Sequence, residues 1–369
     1  MNITPIYVDP VIQYKHEYNL QAWEEAKRLF EQKQYIDSLH AFLKYINTES
    51  YKRYMVTPNH WIIPHGSLMV EIKVTDDGFV EVNAPFLKLP PEGSVALLRQ
   101  IAEFNFNVLK LSQVILEGDS LSFKAKIPLE LIDNFKFYGI LREICLNGDT
   151  YDDIFIEKFG AIPLREKSVR YYEPQVVEKA WTIFHKILDE TLLYDEYFCT
   201  NRWKDFSFDI MGIGLMKIDY LIAPQGFLRT EIEKTLNVMF DVQKPLDVAI
   251  NETRENIKKL KSIPKEKFKN DLYEANFFIP ARKTADLNQI QEFLSKRYEL
   301  AIQDKSGGSY TGVVLDYLFA TYHLLYNYFI SDTLLNEING VLKACSNISW
   351  EQSSEIMWLH FQKIMNLKA

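Results

Sequence analysis

The sequence predicts an α+β protein: a small antiparallel sheet with helices, followed by a mainly α-helical C-terminal domain. Three observations predict it. Between Ser67 and Gly160, two stretches of alternating apolar and polar residues, each broken by an Asp/Gly turn, bracket one helical pattern, and a second helical pattern closes the group. From Glu173 onward, apolar residues recur at helical spacing through most of the remaining chain. Glycine supplies only 14 of 369 residues, well under the usual ~7%, which argues against an all-β fold with many tight turns and against glycine-rich phosphate loops.

Size and charge bound the rest. A chain of 369 residues has room for two or three domains. Apolar residues at 47% and charged residues at 25% are globular, and 24 Phe with 21 Tyr supply large cores. The net charge of −8 gives no basic face for nucleic acid or an anionic membrane. Cys145, Cys199 and Cys345 are too scattered for a disulfide framework or a CxxC site. The first residues, MNITPIYVDPVIQ, lack the basic and apolar runs of a signal peptide. The most apolar run, Val313 to Ile330, contains Asp316, His323 and Asn327, so a buried core helix outweighs a membrane span. The expectation is a cytoplasmic protein.

Residues 1–16 read as irregular, with Pro5 and Pro10 against a helix. A helix is expected from Glu17 with Ala22, Ala26, Leu29 and Phe30 on one face, then a second with Ile36, Leu39, Phe42, Leu43 and Ile46. The pair resembles one tetratricopeptide hairpin at Ala22, Ala26, Leu29, Tyr35, Ser38 and Phe42. No second copy follows at the repeat period, so a hairpin packed on the next domain outweighs a repeat-type peptide groove. The second helix is expected to serve both segments, giving boundaries of 1–54, 55–160 and 161–369.

In the middle segment, TPNHWIIPHG reads as an awkward stretch bounded by prolines. Leu68, Val70, Ile72 and Val74 alternate as a strand, Asp76-Asp77-Gly78 turns it, and Phe79 to Val82 returns. Ser94 can cap a helix lined by Leu97, Leu98, Ile101, Phe104 and Val108. A hairpin follows, Ser112–Leu116 and Leu121–Ile127, turned at Gly118-Asp119 and stopped by Pro128. A long helix then carries Ile132, Phe135, Ile140, Leu141 and Ile144 on its stripe, with a break expected at Gly148.

This order, helix, two strands, helix, two strands, helix, resembles the type III secretion chaperone-like fold, in its YbjN-like branch of bacterial domains. The resemblance rests on the turn Asp76-Asp77-Gly78, the string Leu97-Leu98-Arg99-Gln100-Ile101-Ala102-Glu103-Phe104-Asn105, the hairpin Gln113 to Lys126 and the closing helix from Pro128. It covers about a third of the chain. It implies a non-enzymatic module that binds a protein or peptide, often as a homodimer through the helix between the hairpins. On that reading Phe79, Val80, Val82, Phe104 and Phe106 are the expected partner-binding residues. A free sheet edge is one physical route, since its open N–H and C=O groups can be completed by a partner peptide.

Past a boundary at 161–172, a helix is expected around Val176–Leu188, followed by a break at Asn201–Asp209. Met211 to Phe240 is apolar and ambiguous between helix and other structure, interrupted by a turn at Pro224-Gln225-Gly226, with a helix start at Thr230-Glu231. Further helices are expected over 252–261, 266–278, 286–302, 312–330, 331–345 and 350–367. Lys305-Ser-Gly-Gly-Ser reads as a flexible loop.

No catalytic motif of the HExxH, P-loop or GxSxG kind is present, so no catalytic, cofactor-binding or metal residue is expected. Gly212-Ile-Gly214 lacks a third glycine and a preceding strand. Gly307-Gly308-Ser309 lacks the P-loop lysine. His60 and His65 lack further ligands at metal spacing. Asp152-Asp153 and Asp195-Glu196 read as pairs on solvated faces or at helix ends, Cys199 as a small core residue, and the aromatic stripe Tyr317 to Tyr328 as core. The leading expectation is a chaperone-like binding protein. The alternatives are a hydrolase-type enzyme with dispersed residues in the helical half, which would need perturbed carboxylates in a pocket, and a structural subunit of a larger assembly.

Overall fold

The computed structural model describes residues 3–13, 16, 18–165, 169–275 and 277–368. The chain forms two units. One comprises residues 16–170 with 274–281, the other residues 1–15, 171–273 and 282–369. The fold is α+β, a small antiparallel sheet with helices in one unit and a helical second unit. Glu17, where the first helix was expected to start, lies outside the described residues, as do Glu166, Lys167 and Ser168 of the expected boundary.

The α+β unit opens with α1 (Leu20–Glu31), α2 (Tyr35–Ile46) and the short α3 (Thr48–Arg53). Ala26 is fully buried, and the Ser38 hydroxyl donates to its carbonyl at 2.7 Å, so small residues do set the approach of α1 to α2. Trp23 packs against Phe42 and Tyr45. The stretch read as awkward forms two strands, β1 (Met55–Thr57) and β2 (His60–His65). Proline inside β2 hid it from the sequence. Pro64 lies opposite Met69 of the next strand but beyond the end of β1, whose pairing stops at Trp61, so its missing N–H costs no ladder bond.

After the turn at Gly66-Ser67 come β3 (Leu68–Val74) and β4 (Phe79–Lys88), joined through Asp76-Asp77-Gly78 with Gly78 at positive φ. Next are α4 (Ser94–Asn107), β5 (Gln113–Glu117), β6 (Ser120–Pro128), α5 (Asn134–Phe159) and the short β7 (Ile162–Pro163). The strand order is β1-β2-β3-β4-β6-β5, antiparallel throughout, with β7 on β4. One face carries the core, including Trp61, Ile63, Val70, Ile72, Val80, Val82, Leu121 and Phe123. Helix α5 does not break at Gly148. A Cβ there would lie 2.1 Å from Leu68 Cδ1, so the glycine lets the helix approach the sheet rather than ending it. On the same helix Phe137 is buried and Phe135 is exposed, reversing the expected stripe at its start.

The chain passes between the units within two short strands, β8 (Val169–Tyr171) and β9 (Tyr273–Ala275). Residues 274–281 complete the α+β core with Phe278 and Ile279. The expected helix over 266–278 is therefore corrected: α10 spans only Lys265–Asn270. The backbone N–H groups of Phe278 and Ile279 both donate to Nδ1 of the buried His65, at 3.1 and 3.3 Å.

The helical unit comprises α6 (Pro174–Thr200), α7 (Lys204–Ile222), α8 (Gly226–Met239), α9 (Leu246–Lys261), α10, α11 (Leu287–Gly307), α12 (Tyr310–Asn327), α13 (Asp332–Ala344) and α14 (Trp350–Asn366). Two-residue strands β10 (Lys283–Thr284) and β11 (Tyr328–Phe329) pair in parallel. Helices α7 and α12 are buried on nearly every side, which is why neither shows a clean amphipathic period. Gly212 and Gly214 belong to this packing. A Cβ at Gly212 would meet Met239 and Phe319, and one at Gly214 would meet Thr191. The break expected at Asn201–Asp209 shrinks to three residues before α7, and Lys305–Gly308 is the end of α11 with Gly308 as its left-handed cap. The N-terminal segment is irregular yet tied down. Thr4 N–H donates to Ile348 O, Ile6 N–H to Glu190, and Val11 N–H to Leu221 O, each at 2.8 Å. Among the described residues no helix is long and apolar enough to cross a membrane.

Candidate functional sites

The five residues expected to meet a partner separate sharply. Val80, Val82 and Phe104 are at most 2% exposed and belong to the core, so Val80 and Phe104 are corrected as contact residues, while Val82 borders the cleft on the sheet's other face. Alternation along β4 was legible, but the helices cover the face that carries its valines. Phe79 stands on the opposite face, half-buried, with the Lys126 ammonium 4.7 Å from its ring centre. Phe106, near the end of α4, is 82% exposed.

The edge route to a partner is largely closed as well. The Asn105 side chain, from α4, donates to Val114 O at 2.8 Å and accepts from Val114 N–H at 2.7 Å. One amide thus completes the backbone of Val114, the second residue of edge strand β5, as a neighbouring strand would. On the other side of the sheet β1 is three residues long, and beyond it β2 presents Pro64.

The face of the sheet away from the core remains. It forms an open cleft of about 670 Å³ lined by Glu71, Lys73, Glu81, Val82, Asn83, Lys110, Leu111, Ser112, Gln113, Ile115, Lys124, Ala125 and Lys126. Its rim is fixed by Glu143 of α5, whose carboxylate accepts from the N–H groups of Lys110, Leu111 and Ser112 at 2.7, 3.0 and 2.7 Å. Several charges are already matched: Lys126 with Glu81, Lys124 with Glu117, His60 with Glu71. Lys73 and Lys110 form no ion pair among the described residues. Leu111 and Ile115 stand beside them, 42% and 38% exposed. No sequence signal marked this surface, because its residues come from four strands and a turn.

The helical unit holds a second cleft, again of about 670 Å³. Its walls are Phe206, Phe208, Phe240, Phe293 and Phe319, with Asp205, Asp209, Lys296, Arg297, Asp304, Asp316 and His323 among them. Arg297 of α11 donates two hydrogen bonds to Asp209 of α7, at 2.6 and 2.9 Å, and a third to Asp316 of α12 at 3.0 Å. Its guanidinium carbon lies 3.9 Å from the centre of the Phe319 ring. Burial raises the pKa of Asp316 to about 7 against the pull of Arg297, and raises that of Asp209 for the same reason. Burial lowers His323 to about 4, with Arg297 adding to it, so the imidazole is neutral. Its ring stacks on Phe240. Asp304 is also raised by burial. It is bonded to the Ser309 hydroxyl and makes no ion pair among the described residues.

The cleft therefore has the perturbed carboxylate that the enzyme alternative requires. It lacks any Ser, Thr or Cys among its lining residues, and Asp209 and Asp316 are both held by Arg297. Sequence reading missed the cluster because its members lie on α7, α11 and α12, up to 114 positions apart between Asp209 and His323.

Other candidates resolve individually. No group of three or more His, Cys, Asp or Glu among the described residues could hold a metal. Cys199 is exposed, not core, and accepts from Arg254 at 2.9 Å. Asp195 is buried and bonded to Arg254 at 2.5 and 3.0 Å, not solvated as expected. Asp152 is also buried. Tyr317 and Tyr322 are core residues.

No protein-family model matches this sequence, and no curated protein matches it.

Proposed function

We propose that the chain is a non-enzymatic, chaperone-like protein-binding protein whose α+β unit takes an acidic, partly apolar peptide on the open face of its sheet. The YbjN-like resemblance of that unit is part of this reading. The observation that carries it is the pairing of two unmatched ammonium groups, Lys73 and Lys110, with exposed Leu111 and Ile115 in one cleft. The cleft residues sum to +2: Lys73, Lys110, Lys124 and Lys126 against Glu71 and Glu81. That local sign opposes the chain's net −8. Charges of this kind set partner choice and encounter rate more than raw affinity. The helix-mediated homodimer of the same reading would use α4, where Val95, Arg99, Ala102 and Phe106 share an exposed stripe.

The test is a peptide titration followed by backbone NMR. Peptides alternating Glu with Leu should shift the β5 and β6 amides, and their affinity should fall with salt. Lys73→Glu with Lys110→Glu should weaken binding by about tenfold or more, roughly 1.4 kcal/mol. Shifts absent from the sheet face, or unchanged affinity in the charge-reversed protein, reject the reading. Sedimentation of Phe106→Glu beside wild type reads the dimer: equal masses at all concentrations reject it.

A further inference from the structure

The cleft of the helical unit points to a second ligand, independent of the peptide reading. Four carboxylates line it, Asp205, Asp209, Asp304 and Asp316, against two cations, Lys296 and Arg297. The cations cannot serve an incoming anion well. Arg297 spends its donors on Asp209 and Asp316, and its guanidinium face lies over Phe319. Lys296 is exposed at the mouth. Asp304 is different. Its carboxylate is bonded to the Ser309 hydroxyl and packed against the Cα of Gly312, where a Cβ would lie closer than 2 Å to Oδ2. Glycine at position 312 thus leaves room for a half-buried carboxylate that has no cation partner among the described residues. The same cleft is walled by Phe206, Phe208, Phe240 and Phe293, whose ring faces attract positive charge. The imidazole of His323 lies against Phe240 and Phe293 with centroids 5.3 and 4.8 Å away. Held neutral, it offers a lone pair and adds no competing charge. The volume lies within the ~300–1,000 Å³ range of small-molecule sites.

We propose that this cleft binds a small organic cation with an apolar body, an aryl- or alkylammonium, its charge facing Asp304 and its body lying against Phe206, Phe208, Phe240 and Phe293. A neutral ligand of the same shape would desolvate Asp304 without compensating it. An anion would meet the carboxylates directly.

The experiment uses the full chain and calorimetric titration with benzylammonium, hexylammonium and phenyltrimethylammonium, with benzyl alcohol and benzoate as the neutral and anionic counterparts of the first. At least one cation should bind saturably. Benzyl alcohol and benzoate should bind at least about tenfold more weakly than benzylammonium. Asp304→Asn should weaken cation binding about fivefold or more while leaving the thermal midpoint close to wild type. Phe293→Ala serves as a second probe of the wall, and it should weaken the aryl cation while keeping the preference for cation over alcohol. Alcohol binding as tightly as ammonium would make the cleft an apolar cavity and overturn the proposal. So would a preference for benzoate, affinity unchanged in Asp304→Asn, or no binding by any of the three cations up to the millimolar range.

Discussion

The two clefts have the same volume and opposite electrical design. On the sheet face the ion pairs are exposed, as with Lys126 and Glu81, whose side chains are 49% and 41% accessible. Water screens such pairs, and their energies are small. In the helical unit the partners of Arg297 are only 9% and 6% accessible. There the cost of removing charge from water is large, and each group depends on its partner. The comparison teaches that ion pairs do different work according to their burial. The exposed set can select a partner and exchange contacts with it. The buried set fixes three helices to one another and shapes the cavity between them.

The largest expected effect follows from that dependence. Arg297→Met should destabilise the helical unit by about 3–5 kcal/mol, because Asp209 and Asp316 lose the cation they share in an apolar setting. Lys126→Met, on the sheet face, should leave the unfolding midpoint where it is. Urea unfolding of both variants measures the difference. Equal midpoints for the two would mean the helical cleft is as hydrated as the sheet face, and the contrast would collapse.

A finer distinction lies in pH. Asp316 titrates at about 7 in the folded chain against 3.8 as its ordinary value. Between those values the folded protein holds a proton the unfolded chain has released, so stability from this group falls as pH rises from about 4 to 7. His323 works in the opposite sense. Its pKa drops from 6.5 to about 4, so the unfolded chain binds the extra proton and stability falls as pH drops through that window. The two slopes oppose each other in the wild type. Asp316→Asn should expose the histidine slope, with stability relative to wild type worsening on acidification from 7 to 4. His323→Phe should expose the aspartate slope, with relative stability improving over the same range. Midpoints measured at several pH values decide this. Parallel curves for all three proteins would remove both groups from the pH account. No pH-dependent difference of this kind is expected from the exposed pairs of the sheet face.

How far this was legible follows from what each region needed. The fold class, the turn at Asp76-Asp77-Gly78, the helix after Pro91 and the β5–β6 hairpin all rest on local periodicity and turn chemistry, which a sequence carries, although Gly93 and not Ser94 is the cap of that helix. Strands β1 and β2 did not show because Pro58 and Pro64 mask them, and only the pairing register reveals that Pro64 sits past the end of β1. Which side of β4 faces the helices is likewise a tertiary fact, so Val80 and Val82 were expected at the surface when they are core. Gly148 looked like a break because a glycine's role in close packing depends on Leu68, eighty positions away. The buried cluster was illegible for the same reason. Asp209, Arg297 and Asp316 are ordinary residues in sequence and become unusual only where α7, α11 and α12 meet.

The smallest predicted effect on stability tests the sheet edge. Asn105→Ala removes a side chain that both donates to and accepts from the Val114 backbone. Water can replace it at an exposed edge, so the loss should be about 1 kcal/mol. The consequence for association should be larger than for stability, since the variant presents an open stretch of strand to other chains. Light scattering at rising concentration should show self-association absent from the wild type. Asn105→Asp separates the two hydrogen bonds. Its carboxylate can still accept from Val114 N–H but repels Val114 O. Behaviour like that of the alanine variant would assign the protection to the bond Asn105 donates to Val114 O. Behaviour like wild type would assign it to the bond accepted from Val114 N–H. If neither variant associates, the edge is guarded by something other than Asn105. Strand addition at β5 would then stay closed, and the peptide reading would rest on docking on the sheet face alone.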